Sequence, residues 1–249
     1  MNFIYGLLWF SLLVPLIYPS DTENISDDQN ITFGIETDFA NQYIWRGISY
    51  NKGLLVEPSP WISYSNFTLS IWGNLPAHDV NSAEGNEIDF TASYLKEFED
   101  LSFEPSFNYY TYPGQEEAPP TGEGNLKISY KIFESEVYTN LTLDVVEYPG
   151  SACSDLGITH QFDLSDKFNF SLDLNTGCAN KKFNRAYINP ESAGNSFNYV
   201  ALSISSNYYL NEIVYIKPHI ENFIITSPDL KEISGNSLWN FGVTAGVEL

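Results

Sequence analysis

Basic residues are scarce in this 249-residue chain: 11 Lys and Arg stand against 32 Asp and Glu, for a formal charge of −21. A nucleic-acid binder needs a basic footprint, so that class is excluded at the outset. Past the N-terminus no apolar run approaches the ~18 residues of a membrane-spanning helix. That absence leaves a transmembrane barrel open, because barrel strands need only alternate. Sustained helical periodicity is missing, and so is any linker rich in Pro, Gly or Ser. The length would accommodate one large β domain or two ordinary ones, and the missing linker decides for one.

Chemistry-bearing motifs are equally thin. There is no phosphate-cradling Gly loop, no C-x-x-C and no zinc helix motif. The acidic stretch around Asp79, Asn81, Glu84 and Asn86 lacks the spacing of a calcium hand. The three histidines read His78-Asp79-Val80, His160-Gln161-Phe162 and His219-Ile220-Glu221, and none has the Ser two residues on that barrel lipases carry. His219 and Glu221 share a face, but two ligands make a weak metal site. The expectation is no enzyme, no metal and no cofactor.

What the chain does have is aromatic and turn-forming residues, with 17 Tyr, 17 Phe, 16 Gly and 13 Pro. That aromatic content argues against disorder and for an all-β chain. Met1 to Ser20 carries no charged side chain, and Phe3 to Ile17 is nearly continuous apolar sequence. It suits the core of an export signal over residues 1–20, although no Lys or Arg precedes it and Tyr18-Pro19-Ser20 is not A-x-A-like. Residues 21–30 read as a disordered acidic lead-in, and 31–249 as the β domain.

From Ile31 onward the pattern has period two, with apolar and polar residues alternating in twelve runs. The runs start at Ile31, Leu54, Phe67, Ile88, Leu101, Leu126, Val137, Leu156, Phe168, Val200, Val214 and Trp239. The second holds Pro58 and Pro60 and is the weakest strand on that ground. The connections alternate in length. Short ones fall near 64–66, 98–100, 133–135, 165–166 and 208–211, and long ones near 46–53, 76–86, 113–124, 148–154, 177–195 and 227–236. Short periplasmic turns, long external loops and an even strand number describe an outer-membrane barrel. The sequence therefore predicts a single antiparallel up-and-down transmembrane β-barrel of about twelve strands, ten to fourteen being admissible, in the outer membrane of a bacterium.

Two further expectations follow from this frame. Cys153 and Cys178 flank the hairpin that turns at Ser165–Asp166. A two-residue turn there pairs positions summing to 331, as 153 and 178 do, so the spacing predicts a disulfide at the hairpin's external end. The polar face would line the lumen with Glu36, Asp38, Glu57, Asp89, Glu104, Asp144, Asp163, Asp173, Glu221 and Glu248, against Lys127, Lys131 and Lys217. Acidic rings favour cations in a pore. His160 breaks the alternation by falling on the apolar face, so either the register shifts there or a subunit contact covers it, and a misassigned register is expected before a functional histidine.

The segment Asp38-Phe39-Ala40-Asn41-Gln42-Tyr43-Ile44-Trp45-Arg46-Gly47-Ile48-Ser49 is more specific than the alternation. It resembles the opening motif of the TorF-like porin family of Gram-negative bacteria. Trp72-Gly73-Asn74, Asn86-Glu87-Ile88-Asp89 and Tyr109-Tyr110-Thr111-Tyr112-Pro113-Gly114 look similar in order, so the resemblance covers about the first half of the domain. It implies an outer-membrane barrel with a channel role. Separately, Tyr43 and Trp45 would sit in an external aromatic girdle, Arg46 would meet a carboxylate, Gly47 would permit a tight turn, and Ser49 closes the motif. The run from Trp239 to Leu249 resembles the last strand recognised by barrel-assembly machinery, although it ends in Leu rather than the commoner Phe. The functional expectation is passive, cation-favouring diffusion of small cationic or neutral solutes, with membrane lipid as the other partner. The rivals are a plugged barrel with a structural or adhesive role, and a secreted soluble β-sandwich binder.

Overall fold

The computed structural model describes residues 31–77, 85–116 and 118–249, together with the backbone of Ile4–Tyr5 and Tyr18–Pro19. The export signal over 1–20 and the lead-in over 21–30 fall outside the described residues but for those two short pieces, and so does the loop holding His78, Asp79, Asn81 and Glu84.

Twelve antiparallel strands close into one barrel. They are β1 Ile31–Trp45, β2 Ile48–Tyr64, β3 Phe67–Pro76, and β4 Glu87–Tyr94, which Lys96–Phe98 continues past Leu95. Then come β5 Leu101–Thr111, β6 Thr121–Ile132, β7 Ser135–Asp144, β8 Ala152–Ser165, β9 Phe168–Ala179, β10 Ser196–Tyr209, β11 Val214–Ile225 and β12 Ser237–Glu248. Each pairs with its neighbours in sequence, and β12 returns to β1 with Gly242 opposite Ala40 and Glu248 opposite Gly34. The carboxyl-terminal residue completes the seam, Leu249 N donating to the Phe33 carbonyl at 2.9 Å and Phe33 N to Leu249 at 3.1 Å. A closed sheet has no open edge to present to lipid, which is the condition for crossing a membrane with strands. No helix among the described residues is long and apolar enough to cross.

The apolar face of the alternation points outward. On β1 Ile31, Phe33, Ile35 and Phe39 are exposed while Glu36 and Asp38 are buried, and on β12 Trp239, Phe241 and Val243 are exposed while Asn240 and Thr244 are buried. This inversion of a soluble protein's pattern forms the lipid belt. Strand β2 survives its prolines. Pro58 and Pro60 stay in register with Thr37 and Ile35 of β1, and the registered pairing to β3 lapses between Val56 and Trp61. The missing N–H groups thus weaken one ladder only.

Three expectations are corrected here. The first external connection is not a long loop over 46–53. Strands β1 and β2 continue to a two-residue turn, Arg46–Gly47, with φ of 53° and 82°. Two positive φ values match the right-handed twist of a hairpin. Two short helices, α1 Lys181–Tyr187 and α2 Pro228–Ser234, occupy external loops that carry no helical period in the sequence. Seven residues are too few to display one. Their starts are locally specified: the Asn180 side chain accepts from Phe183 N at 2.9 Å, and Pro228 opens α2.

The third correction concerns the cysteines. Between Asp163 and Ser165 the β8–β9 ladder slips, and above the slip Cys153 faces Ala179 while Ser154 faces Cys178. A one-residue offset puts the two side chains on opposite faces of the sheet. Cys153 points inward, Cys178 is exposed on the outer wall, and both are free. We therefore expect two titratable thiols in the denatured, non-reduced protein. In the folded protein a small maleimide should modify Cys178 alone. Mass spectrometry showing a two-hydrogen deficit in the untreated chain would contradict this. His160 likewise keeps its register, opposite Leu172 and Ser135. It lies on the outer face, where its Nδ1 is 2.8 Å from Ser135 Oγ and its ring meets Phe162 at 4.2 Å.

Candidate functional site: the lumen and its external mouth

The inward face is filled rather than open. Every second residue on each strand turns its side chain into the barrel, and most of these side chains are buried although they are polar or charged. Among the carboxylates expected there, Glu36, Asp38, Glu57, Asp89, Glu104, Asp144, Asp173 and Glu221 are buried. Lys217 is buried and Lys127 partly so, whereas Lys131 and Asp163 are exposed and Glu248 is half-buried. Those last three lie near the short-turn ends of their strands, where the inward parity leads to the rim and not to the interior.

Four inward acids escape the sequence reading: Glu87, Glu123, Glu136 and Asp155. Each keeps the parity of its strand's polar face but lies beyond it, Glu87 two residues before Asp89 and the others four residues before Lys127, Asn140 and Thr159. The ladder continues past the last lipid-facing residue, so strands are longer than their apolar runs. Extending each run by two alternations reaches all four.

The basic side chains inside the barrel each meet an acid. Lys217 Nζ lies 3.3 Å from Glu36, which also accepts from Tyr215. Lys127 is 3.1 Å from Glu136, and His219 Nε2 is 3.1 Å from Asp38, which in turn accepts from Thr244 at 2.9 Å. His219 thus bonds across the β11–β12–β1 wall to Asp38, while the Glu221 carboxylate accepts from Ser203 at 2.8 Å and Asn240 at 3.3 Å. Other acids keep carboxylate oxygens that no donor meets. Neither carboxylate oxygen of Asp89 meets a hydrogen-bond donor, nor does Glu57 Oε1 or Glu104 Oε1. Among the described residues no cluster of three His, Cys, Asp or Glu could hold a metal.

Aromatic rings lie flat over facing glycines along the wall. Tyr138 faces Gly157, Tyr199 faces Gly177, and Tyr215 faces Gly246. A Cβ at Gly157 would stand 2.1 Å from Tyr138 Oη, so only glycine allows the ring this position. From there Tyr138 donates to Asp173 at 2.9 Å, and Tyr199 donates to Asp155 at 2.6 Å.

The external mouth is closed by the tip of the β1–β2 hairpin. From Gln42 to Ile48 the alternation of exposure stops and every residue is buried. The ladder slips between Ala40 and Gln42 and again between Tyr43 and Ile44, and two such irregularities bend the tip over the lumen. Tyr43 and Trp45 are therefore not in an outer aromatic girdle. They pack inside with Ile44, Ile48, Phe183 of α1, Leu230 of α2, Tyr199 and Ile225. Tyr43 meets Trp72 at 5.1 Å, and Trp45 meets Phe183 at 5.5 Å and Tyr187 at 5.1 Å. Gly47 is hemmed in by Leu230 and Tyr199, each 3.1 Å from the place a Cβ would take. Ser49 Oγ donates to Gln42 at 3.0 Å, and Ser49 N reaches Ser234 Oγ at 3.4 Å.

Arg46 is the latch of this tip. Its two terminal nitrogens each lie 2.7 Å from a carboxylate oxygen of Glu123 on β6, across the barrel from β1. Tyr110 donates to the same carboxylate at 2.6 Å. The guanidinium also lies 4.2 Å above the Trp45 ring and 5.5 Å from Phe183. A bidentate, desolvated pair sandwiched by rings is a strong and directional contact. On the far side α1 is tied down by Tyr187, whose hydroxyl donates to Asp144 at 3.0 Å. Burial, then the nearby Glu123 and Asp144 carboxylates, hold the Tyr187 hydroxyl well above the usual range, so it stays a donor.

A closed antiparallel barrel with an outward apolar belt defines the class: an up-and-down β-barrel of the kind that crosses outer membranes. No family model matches this chain, and no curated protein does. Solved structures do. The KdgM porin in complex with disordered oligogalacturonate superposes with a TM-score of 0.52 at 11% identity, over 87% of this chain and 98% of that one. The NanC porin gives 0.53 at 8%, over 86% and 98%. The COG4313 outer membrane channel from Pseudomonas putida F1 gives 0.53 at 7%, over 94% and 100%. At these identities the likeness is one of fold.

Proposed function

We propose that this barrel is a passive channel of the outer membrane that favours small cations, and that its external mouth is held shut by the β1–β2 hairpin tip. The single observation carrying the reading is the surplus of inward carboxylates over inward cations. Arg46, Lys127 and Lys217 are each committed to an acid, and Glu57, Asp89 and Glu104 keep oxygens without a donor. A wall of one sign concentrates counter-ions and excludes co-ions. The motif through Tyr43, Trp45, Arg46, Gly47 and Ser49, which resembles the TorF-like porins, acquires a physical role as the gate. Structural neighbours that are channels support the same class. The test is planar-bilayer conductance of the refolded protein under a salt gradient, where discrete openings with a cation-selective reversal potential are expected. Openings selective for anions would overturn the cation preference.

A second reading is a plugged barrel with a structural or adhesive role, and the packed mouth favours it. It predicts silence from inserted protein even after the Arg46–Glu123 pair is cut.

A further inference from the structure

The outer wall is not evenly covered with large apolar side chains. Across β6 to β10 near the external rim, two outward rows run in register. One holds Gly124, Leu143 and Ala152, and the next holds Leu126, Leu141, Ser154, Cys178 and Phe197. Small residues form the floor and the leucines and Phe197 form the sides, leaving a trough of about 840 Å³. A Cβ at Gly124 would meet nothing within 4 Å, so the depression is real space on the lipid side.

Asn180 and Asn195 close the top of this trough, and α1 starts directly above it. That helix carries Lys181, Lys182 and Arg185, all exposed. Lys182 Nζ donates to the Pro149 carbonyl at 2.8 Å, which holds it over the β7–β8 loop, and Arg185 Nε donates to Ser192 at 3.0 Å. The exposed carboxylates on the flanking loop segments are Glu147 and Glu191. In a chain whose acids outnumber its bases 32 to 11, three cations within five residues invert the local balance.

We propose that the trough and the α1 cations together bind one phosphate-bearing anionic lipid of the external leaflet. An acyl chain lies along Gly124, Ala152 and Ser154, and the phosphate sits against Lys181 and Lys182. The occupant follows from placement: an apolar depression below, cations above, and a boundary between them at the height where a lipid changes from chain to headgroup. This inference rests on the barrel and its membrane setting, and it holds whether or not the lumen conducts.

The test is native mass spectrometry of the full-length protein released from two kinds of vesicle. One is phosphatidylcholine alone, and the other is phosphatidylcholine with a tenth of a phosphomonoester lipid such as phosphatidic acid. The expected result is one retained phosphomonoester lipid per chain and little retained phosphatidylcholine. A Lys181→Gln, Lys182→Gln pair is expected to weaken retention about 30-fold, from ~1 kcal/mol per cation near a lipid surface. Gly124→Leu, which fills open space without touching the headgroup, is expected to abolish retention and leave both barrel assembly and conductance unchanged. Equal retention of both lipids, or retention unaffected by either variant, would overturn the proposal. So would a dimeric mass that Gly124→Leu converts to monomer, because the trough would then be an interface between copies.

Discussion

Replacing Arg46 by alanine is expected to open the external mouth and raise single-channel conductance several-fold. The hairpin tip is bent across the lumen, and the contact that reaches the opposite wall is the doubled 2.7 Å pairing of Arg46 with Glu123. Removing the guanidinium leaves Glu123 buried beside Tyr110 without its cation, which typically costs about 3–5 kcal/mol. The variant should therefore be less stable as well as leakier. The companion Arg46→Ala, Glu123→Gln separates the two effects. It removes the stranded charge, so most of the stability should return while the pore stays open. Conductance in lipid bilayers reads the first effect and urea unfolding in vesicles the second. If both variants insert and conduct no better than the parent, the latch is structural only and the plugged reading gains.

Neutralising the unpartnered wall should change which ions pass. In a Glu57→Gln, Asp89→Asn, Glu104→Gln variant, the reversal potential under a salt gradient is expected to move from the cation limit toward zero. These three acids hold oxygens that meet no donor, so they are the inward acids least satisfied from within. Stability should rise or stay level, because burying a carboxylate without a partner is costly and the amides keep the shape. Mutating acids already paired, such as Glu36 with Lys217 or Asp38 with His219, should move selectivity less and stability more. An unchanged reversal potential in the triple variant would mean that the permeating path does not pass these residues.

Much of this molecule was legible from period two alone. A strand that faces lipid on one side must place an apolar residue at every second position, so the twelve runs, their order and both faces could be read directly. The sorted lengths of the connections, the first external one excepted, then distinguished a barrel from a sandwich. The C-terminal run from Trp239 to Leu249 was legible for the same reason, since its outward face remains apolar to the end.

Features that depend on one residue of register, or on which way a segment bends, were not. The hairpin turns at Asp166–Lys167, one residue later than the spacing assumes, and the slip between Asp163 and Ser165 then moves Cys153 and Cys178 onto opposite faces. The motif from Tyr43 to Ile48 reads equally well as a girdle facing lipid or as a core facing inward. Its aromatic composition suits both, and only the two ladder irregularities and the packing of α1 and α2 choose the second. The partner of Arg46 was likewise undetermined, since Glu123 is remote in sequence and is brought within 2.7 Å only by closure of the barrel. Sequence by itself thus determined the strands and the two faces of the wall, because those follow from the solvent each residue meets. The tertiary structure decided what fills the interior and what shuts its mouth, because those contacts join residues that only a closed sheet brings together.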